Sequence, residues 1–145
     1  MAGYFRKLNG TVYDGANVAA EELTNGVFAE ITATGVKKTA AAKDTVLRVT
    51  EKTALWGAEA VVLDVVSVGE DEVFFVENEW DVKKGGEYDT AEYVLKKDKL
   101  VRMRRPVVGD QVIMTLEPTL YAALTEADKV TPVANGAVAK VAVSP

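Results

Sequence analysis

Residues 58–80 read AEAVVLDVVSVGEDEVFFVENEW, and how this stretch folds back decides the architecture. From Ala60 to Val68 it is almost continuously apolar, interrupted by Asp64 and Ser67. A strand of that composition is buried on both faces or crosses a barrel. Gly69-Glu70-Asp71-Glu72 supplies a turn and VFFVENEW a return, so the stretch predicts a β-hairpin over 58–80.

The neighbouring segments extend the β pattern. Upstream, TVLRVTE (45–51) alternates, with Val46, Arg48 and Thr50 on one side and Leu47 and Val49 on the other. Downstream, Gly85-Gly86 in DVKKGGEYDT permits positive φ and predicts a loop or wide turn. KLVRMRR (99–105) is expected to be a strand ending at Pro106, with Lys99, Val101, Met103 and Arg105 on one face and Leu100, Arg102 and Arg104 on the other. Gly109-Asp110 reads as a turn into the next strand, DQVIMTL (110–116), which sets Val112, Met114 and Leu116 against Ile113. Pro118 breaks that strand. In PTLYAALTEAD (118–128), Leu120, Ala123, Leu124 and Ala127 fit a helical face with Pro118 at its first position, although an irregular connection fits too. VANGAVAKVAV closes the chain around an Asn135-Gly136 turn.

The first 44 residues are richer in Gly, Asn, Thr and Ala, and their apolar spacing is looser. DGANVAAEELTNG (14–26) reads equally as a two-turn helix capped by Asn17 and stopped by Gly26, or as the approach to a hairpin in which Asn25-Gly26 turns into VFAEITA. TGVKKTAAAKD (34–44) is expected to be an exposed loop. GYFRKLNGTVY (3–13) packs Tyr4, Phe5, Leu8, Val12 and Tyr13 around Arg6 and Lys7, which suits either an early strand or an arm reaching for a neighbour. The chain therefore divides into residues 1–26, an N-terminal arm or early strand with a possible short helix, and residues 27–145, a single β-rich domain. The predicted class is mainly β: a compact β-barrel or β-sandwich with at most one or two short helices.

Composition narrows the chemistry. A chain of 145 residues with 48% apolar and 27% charged residues is an ordinary globular domain, long enough to fold without a metal or a disulfide. It has no cysteine and no histidine, which removes thiol nucleophiles, imidazole bases and nearly every zinc or iron site. Ser67 lies inside an apolar strand and Ser144 at the chain end, so neither suits a nucleophile. Asp89-Thr90-Ala91 lacks the glycine of the aspartic-protease motif, and phosphate-binding Gly-rich motifs are absent. No cofactor or metal is expected, and no catalytic residue is assigned. With no apolar leader and no apolar run of membrane length, synthesis in the cytoplasm without a membrane is expected.

Charge is distributed unevenly about a net of −5. Residues 69–81 carry six acids and no base, and 96–105 carry six bases and one acid. The acidic run reads as a solvated turn, since it lacks the ligand spacing of a Ca²⁺ loop. The basic run reads either as the guard of an exposed sheet edge or as a contact for an acidic protein partner. Nucleic acid fits less well, because the net charge is negative and 96–105 has no aromatic residue to stack on bases. Trp56 and Trp80 are expected as anchors at strand ends.

Taken in order, KLNGTVY, LTNGVFAEITATG, DTVLRVTE, LVRMRRPVVGDQVIMT and ADKVTPVANGAVAKV resemble the small head decoration (auxiliary capsid or cement) proteins of tailed bacteriophages. The resemblance implies a non-catalytic virion structural protein, made in the host bacterial cytoplasm and placed on the outer capsid surface. Its partner there would be the major capsid protein, whose subunits it would bridge, and it would form a homo-oligomer, with a trimer favoured. Carried onto this chain by position, an arm of about Ala2–Tyr13 would make contacts through Tyr4, Phe5, Arg6 and Leu8, joined by Arg102, Arg104 and Arg105 of the basic run. Alternatives are a tail-tube or head–tail connector component, and a barrel module binding a small ligand or nucleic acid.

Overall fold

The computed structural model describes all residues except 1, 11, 56, 79–80, 83–87, 90–93 and 142–145, with the backbone alone at 81–82 and 88–89. The predictions made for Trp56, Trp80, Ser144, the Gly85-Gly86 turn and the Asp89-Thr90-Ala91 motif fall wholly or partly outside the described residues.

The chain is mainly β, as expected, and its two principal sheets face each other as a sandwich; no closed barrel forms among the described residues. In chain order the strands are β1 Gly3–Lys7, β2 Val12–Asp14, β3 Leu23–Thr24, β4 Phe28–Thr32, β5 Gly35–Lys38, β6 Val46–Leu55, β7 Ala58–Ser67, β8 Phe74–Val76, β9 Asp81–Val82, β10 Tyr88–Asp89, β11 Val94–Leu95, β12 Met103–Arg105, β13 Gln111–Thr115, β14 Lys129–Pro132 and β15 Val138–Lys140. The larger sheet runs β1-β13-β7-β6-β14-β15 and the smaller β2-β12-β8-β4-β5, with two short ribbons, β11-β3 and β10-β9. Every ladder among the described residues is antiparallel, and one isolated bridge, Ala19 to Val36, is parallel.

Between the sheets lies the main core. Leu47, Val49, Val61, Leu63, Val65, Val112, Met114, Val130 and Val138 of the larger sheet meet Phe28 and Phe75 of the smaller. These are alternate positions along their strands, the period-two pattern that puts one face inward. The two phenylalanines touch edge to face, with ring centroids 5.3 Å apart. The smaller sheet is buried on its far side as well, where Ala29, Val36, Phe74, Val76 and Met103 pack against Ala19, Leu23, Val27, Leu95 and Val101.

The predicted 58–80 hairpin does not form. β7 pairs with β6 on one side and β13 on the other, while β8 lies in the opposite sheet between β12 and β4. Phe74, Phe75 and Val76 are all buried, and three consecutive apolar residues suit an interior strand covered on both faces better than the half-solvated return of a hairpin. The true hairpin partner of β7 is β6, whose pairing runs to Leu55 opposite Ala58 with two residues between them. Residues 68–73 instead carry the chain from one sheet to the other. Their path is held by Asp44, whose carboxylate accepts the N–H groups of Glu70 (2.8 Å) and Asp71 (3.1 Å).

Other local expectations are settled by tertiary pairing. No helix forms in 14–26; Asn25-Gly26 does turn, yet Leu23–Thr24 pairs with Val94–Leu95 and not with β4. Gly26 adopts φ +87°, and a Cβ there would stand 2.6 Å from the backbone of Ala2 and Gly3. Only glycine fits such a crossing of two chains. GVKK is no loop but β5, the outer strand beside β4. The 118–128 segment contains a short helix, Pro118–Ala123 (α1), with proline in its first turn. Asn135 (φ 65°) and Gly136 (φ 70°) lie in the link between β14 and β15, at the expected turn. No helix among the described residues is long and apolar enough to cross a membrane.

Candidate interaction surface

The basic run does not form an edge. β12 has β8 on one side and β2 on the other, so the expectation of a charged edge strand is corrected: β2 is the edge, and Arg104 and Arg105 lie opposite Tyr13 and Val12. The expected strand over 99–105 is confined to Met103–Arg105, and only the alternation of burial extends upstream of it. Val101 and Met103 are buried, whereas Leu100 is 60% exposed and Arg102 is exposed beside it. Asn78 fixes this register, because its Oδ1 accepts the Arg102 N–H (3.0 Å) while its own N–H donates to Asn25 Oδ1 (2.6 Å).

Which way the arginines face follows from the ladder. Arg104 sits opposite Phe75, whose ring lies in the core between the sheets, so Arg104 points to the side on which the larger sheet packs. Among the described residues the larger sheet does not reach that far. Its last strand is β1, where Phe5 meets Phe75 edge to face at 5.2 Å. β12 and β2 therefore overhang β1. The overhang presents Arg104 with Tyr13 opposite it, and just before β12 come Arg102 and Leu100, the latter bridged to Val18. Tyr13 is 51% exposed, and its ring stands 5.3 Å from the Arg104 guanidinium carbon, a cation–π contact.

Glu77 closes the inner corner of this step. Its Oε2 accepts the Phe5 N–H at 2.7 Å, covering an edge donor of the larger sheet with a side chain of the smaller one. Burial pushes the Glu77 carboxyl above the usual carboxylate range, against the Phe5 N–H and the Arg104 charge, which pull it down. Because the folded state then holds the proton more tightly than the unfolded chain, the stability tied to protonated Glu77 is present at low pH and lost as pH rises through the folded value. Glu77→Gln, which keeps an acceptor for Phe5, is expected to gain stability relative to the parent as pH rises above the ordinary glutamate range. Urea unfolding at several pH values checks this, and a difference independent of pH would refute it.

The residues singled out from sequence are dispersed. Tyr4 packs on the outer face of the larger sheet near Ala60, Val62 and Ile113, while Phe5 points inward. Arg6 pairs with Glu51 (3.0 Å), and Leu8 is 49% exposed in the loop after β1. Arg105 faces away from Arg104, with Glu72 3.9 Å off. Of the set, Tyr4 and Arg6 lie along the outer face of the larger sheet, and Arg102 and Arg104 follow one another on the far side of the molecule's step. Tyr13 falls within the expected arm but outside its named contacts, and Val18 is not singled out; the two-residue period places Leu100 with Arg102 and Arg104, but nothing local places Tyr13 beside Arg104.

A cleft of about 440 Å³ between α1 and the β14–β15 turn is lined by Ala58, Thr115, Leu120 and Asn135, with Glu117 the one ionisable side chain among the described lining residues. No group of three or more carboxylates able to hold a metal ion occurs among the described residues. No protein-family model, curated protein or solved structure matches the chain.

Proposed function

We propose that this chain is a non-catalytic virion structural protein that binds the outer surface of a phage capsid and stabilises it by bridging major capsid subunits. The observation that carries the reading is the ordered set of segments from KLNGTVY to ADKVTPVANGAVAKV, which resembles head decoration proteins over most of the chain. A β-sandwich with an exposed apolar and basic step is compatible with docking on a protein surface. An oligomer, with a trimer favoured, would engage several lattice sites at once, so that individually weak contacts sum to firm attachment.

Mixing the purified protein with expanded, undecorated capsids of its own phage tests the reading. Saturable, stoichiometric binding is the expected result. Absence of binding overturns it, and rings or tubes in electron micrographs without capsid affinity would point to a tail-tube or connector component.

A further inference from the structure

From the bend that follows β1 we infer that Asn9-Gly10 is a self-modification site, at which the folded chain converts the Asn9 amide to a carboxylate and so loosens the loop that Asp110 holds. The inference is independent of the capsid reading.

The chain carries three Asn-Gly pairs, at residues 9–10, 25–26 and 135–136. At such a pair the glycine backbone nitrogen can attack the asparagine Cγ, because the following residue has no Cβ to obstruct the approach. The N–Cγ bond forms, the Cγ–Nδ2 bond breaks, and the side-chain nitrogen leaves as ammonia with the proton that the glycine N–H gives up. Water then opens the cyclic imide at one carbonyl or the other, leaving an aspartate or an isoaspartate. The reaction needs only water and a backbone free to bring the two atoms together.

Tertiary structure separates the three pairs. Asn25 is 1% exposed, its Oδ1 accepts the Asn78 N–H (2.6 Å), and the Gly26 N–H that would have to attack is bonded to the Val76 carbonyl (2.9 Å). Asn135 is exposed, but it is held at φ 65° with its N–H on the Thr39 carbonyl (2.7 Å). Its neighbour Gly136 is buried where a Cβ would stand 2.8 Å from the Phe28 carbonyl oxygen, so that pair cannot turn either. Asn9 and Gly10 are both exposed, in the bend between β1 and β2. Two bonds tether Asn9 to the 107–110 turn: its N–H donates to Asp110, and its Nδ2 donates to the Val108 carbonyl (3.0 Å). The first leaves the Asn9 side chain and the Gly10 nitrogen untouched, and the second is a single solvent-exposed bond. The same two bonds make conversion consequential. A carboxylate at position 9 has no Nδ2 hydrogen to donate to Val108, and it adds charge close to the fully buried Asp110. An isoaspartate also lengthens the backbone by one carbon just after the N–H that Asp110 accepts.

The test incubates the full chain at mildly alkaline pH, in buffer and in concentrated urea, and follows each asparagine-containing peptide by mass spectrometry. In buffer, Asn9 is expected to convert about tenfold or more faster than Asn25 and Asn135, which react only through local opening. In urea the three should convert at similar rates, because the local pair is the same and the fold no longer distinguishes them. Asn9→Gln, whose longer side chain must close a larger ring, should remove the early product. Asn9→Asp, the product itself, should unfold at a lower urea concentration than the parent. Equal rates in buffer, faster conversion at Asn25 or Asn135, an early product that persists in Asn9→Gln, or an Asn9 that stays intact in buffer while it converts in urea would each overturn the site assignment. An Asn9→Asp chain with the parent's urea midpoint would overturn the loosening of the loop.

Discussion

A chain lacking residues 2–7 is expected to show no cooperative unfolding transition. Those residues include all of β1, which pairs with β13 through Gly3–Met114, Tyr4–Ile113 and Phe5–Val112. Ala2 is buried, and it exchanges bonds with Thr115, donating its N–H to Oγ1 (2.9 Å) and accepting the Thr115 N–H (2.9 Å). Phe5 fills the core against Phe75. Losing a buried aromatic side chain costs about 3–5 kcal/mol by itself. Removal of the strand also bares Val112 and Met114 and leaves β13 as an unpaired edge, so the total approaches the whole stability of a domain, about 5–15 kcal/mol. Circular dichroism against temperature and urea reads the outcome directly. A truncated chain that melts like the parent would mean that this segment is a detachable arm, the other reading its sequence admits.

Replacing Asp110 by alanine is expected to cost about 2–4 kcal/mol, because it leaves two N–H groups without acceptors. The side chain is fully buried. One carboxylate oxygen accepts the Asn9 N–H, and the other accepts the Val107 N–H at 2.9 Å. Asn9 in turn donates its side-chain amide to the Val108 carbonyl (3.0 Å). A single carboxylate thus ties the loop leaving β1 to the turn entering β13, and its backbone N–H closes that turn on the Val107 carbonyl (3.1 Å). Asp110→Asn should recover part of the loss, since an amide oxygen still accepts one of the two donors. Urea midpoints at constant slope measure the difference. An alanine variant as stable as the parent would show that water or a shifted loop satisfies both donors.

Asp110 shows where sequence reading stops. With no histidine or cysteine in the chain, Gly109-Asp110 reads as a turn into a strand, and it is one. That the same carboxylate also holds Asn9, 101 residues earlier in the chain, has no local signal, because the contact exists only once β1 lies on β13. Strand β8 gives the same lesson. Its three apolar residues announce a strand, but a β-strand's period names its two faces and not its neighbours. Pairing with β7 looked natural by proximity along the chain, and lost to β6 and β13, which occupy both edges of β7. The candidate surface is legible in half. Alternation placed Leu100, Arg102 and Arg104 on one side of a strand, whereas exposure of that side depends on the larger sheet ending at β1.

By itself the sequence determined the class and the limits of the chemistry. Val-rich alternating segments specify strands, Asn-Gly and Gly-Asp pairs mark turns, and a chain without thiol or imidazole is confined to carboxylate, amine and hydroxyl groups. Tertiary structure alone decided that the strands form a sandwich, which sheet each strand joins, that Tyr13 meets Arg104, and that Glu77 reaches across to Phe5. Those outcomes depend on backbone groups and side chains brought together from distant parts of the chain, and their free energy appears only when both sheets have closed on the shared core.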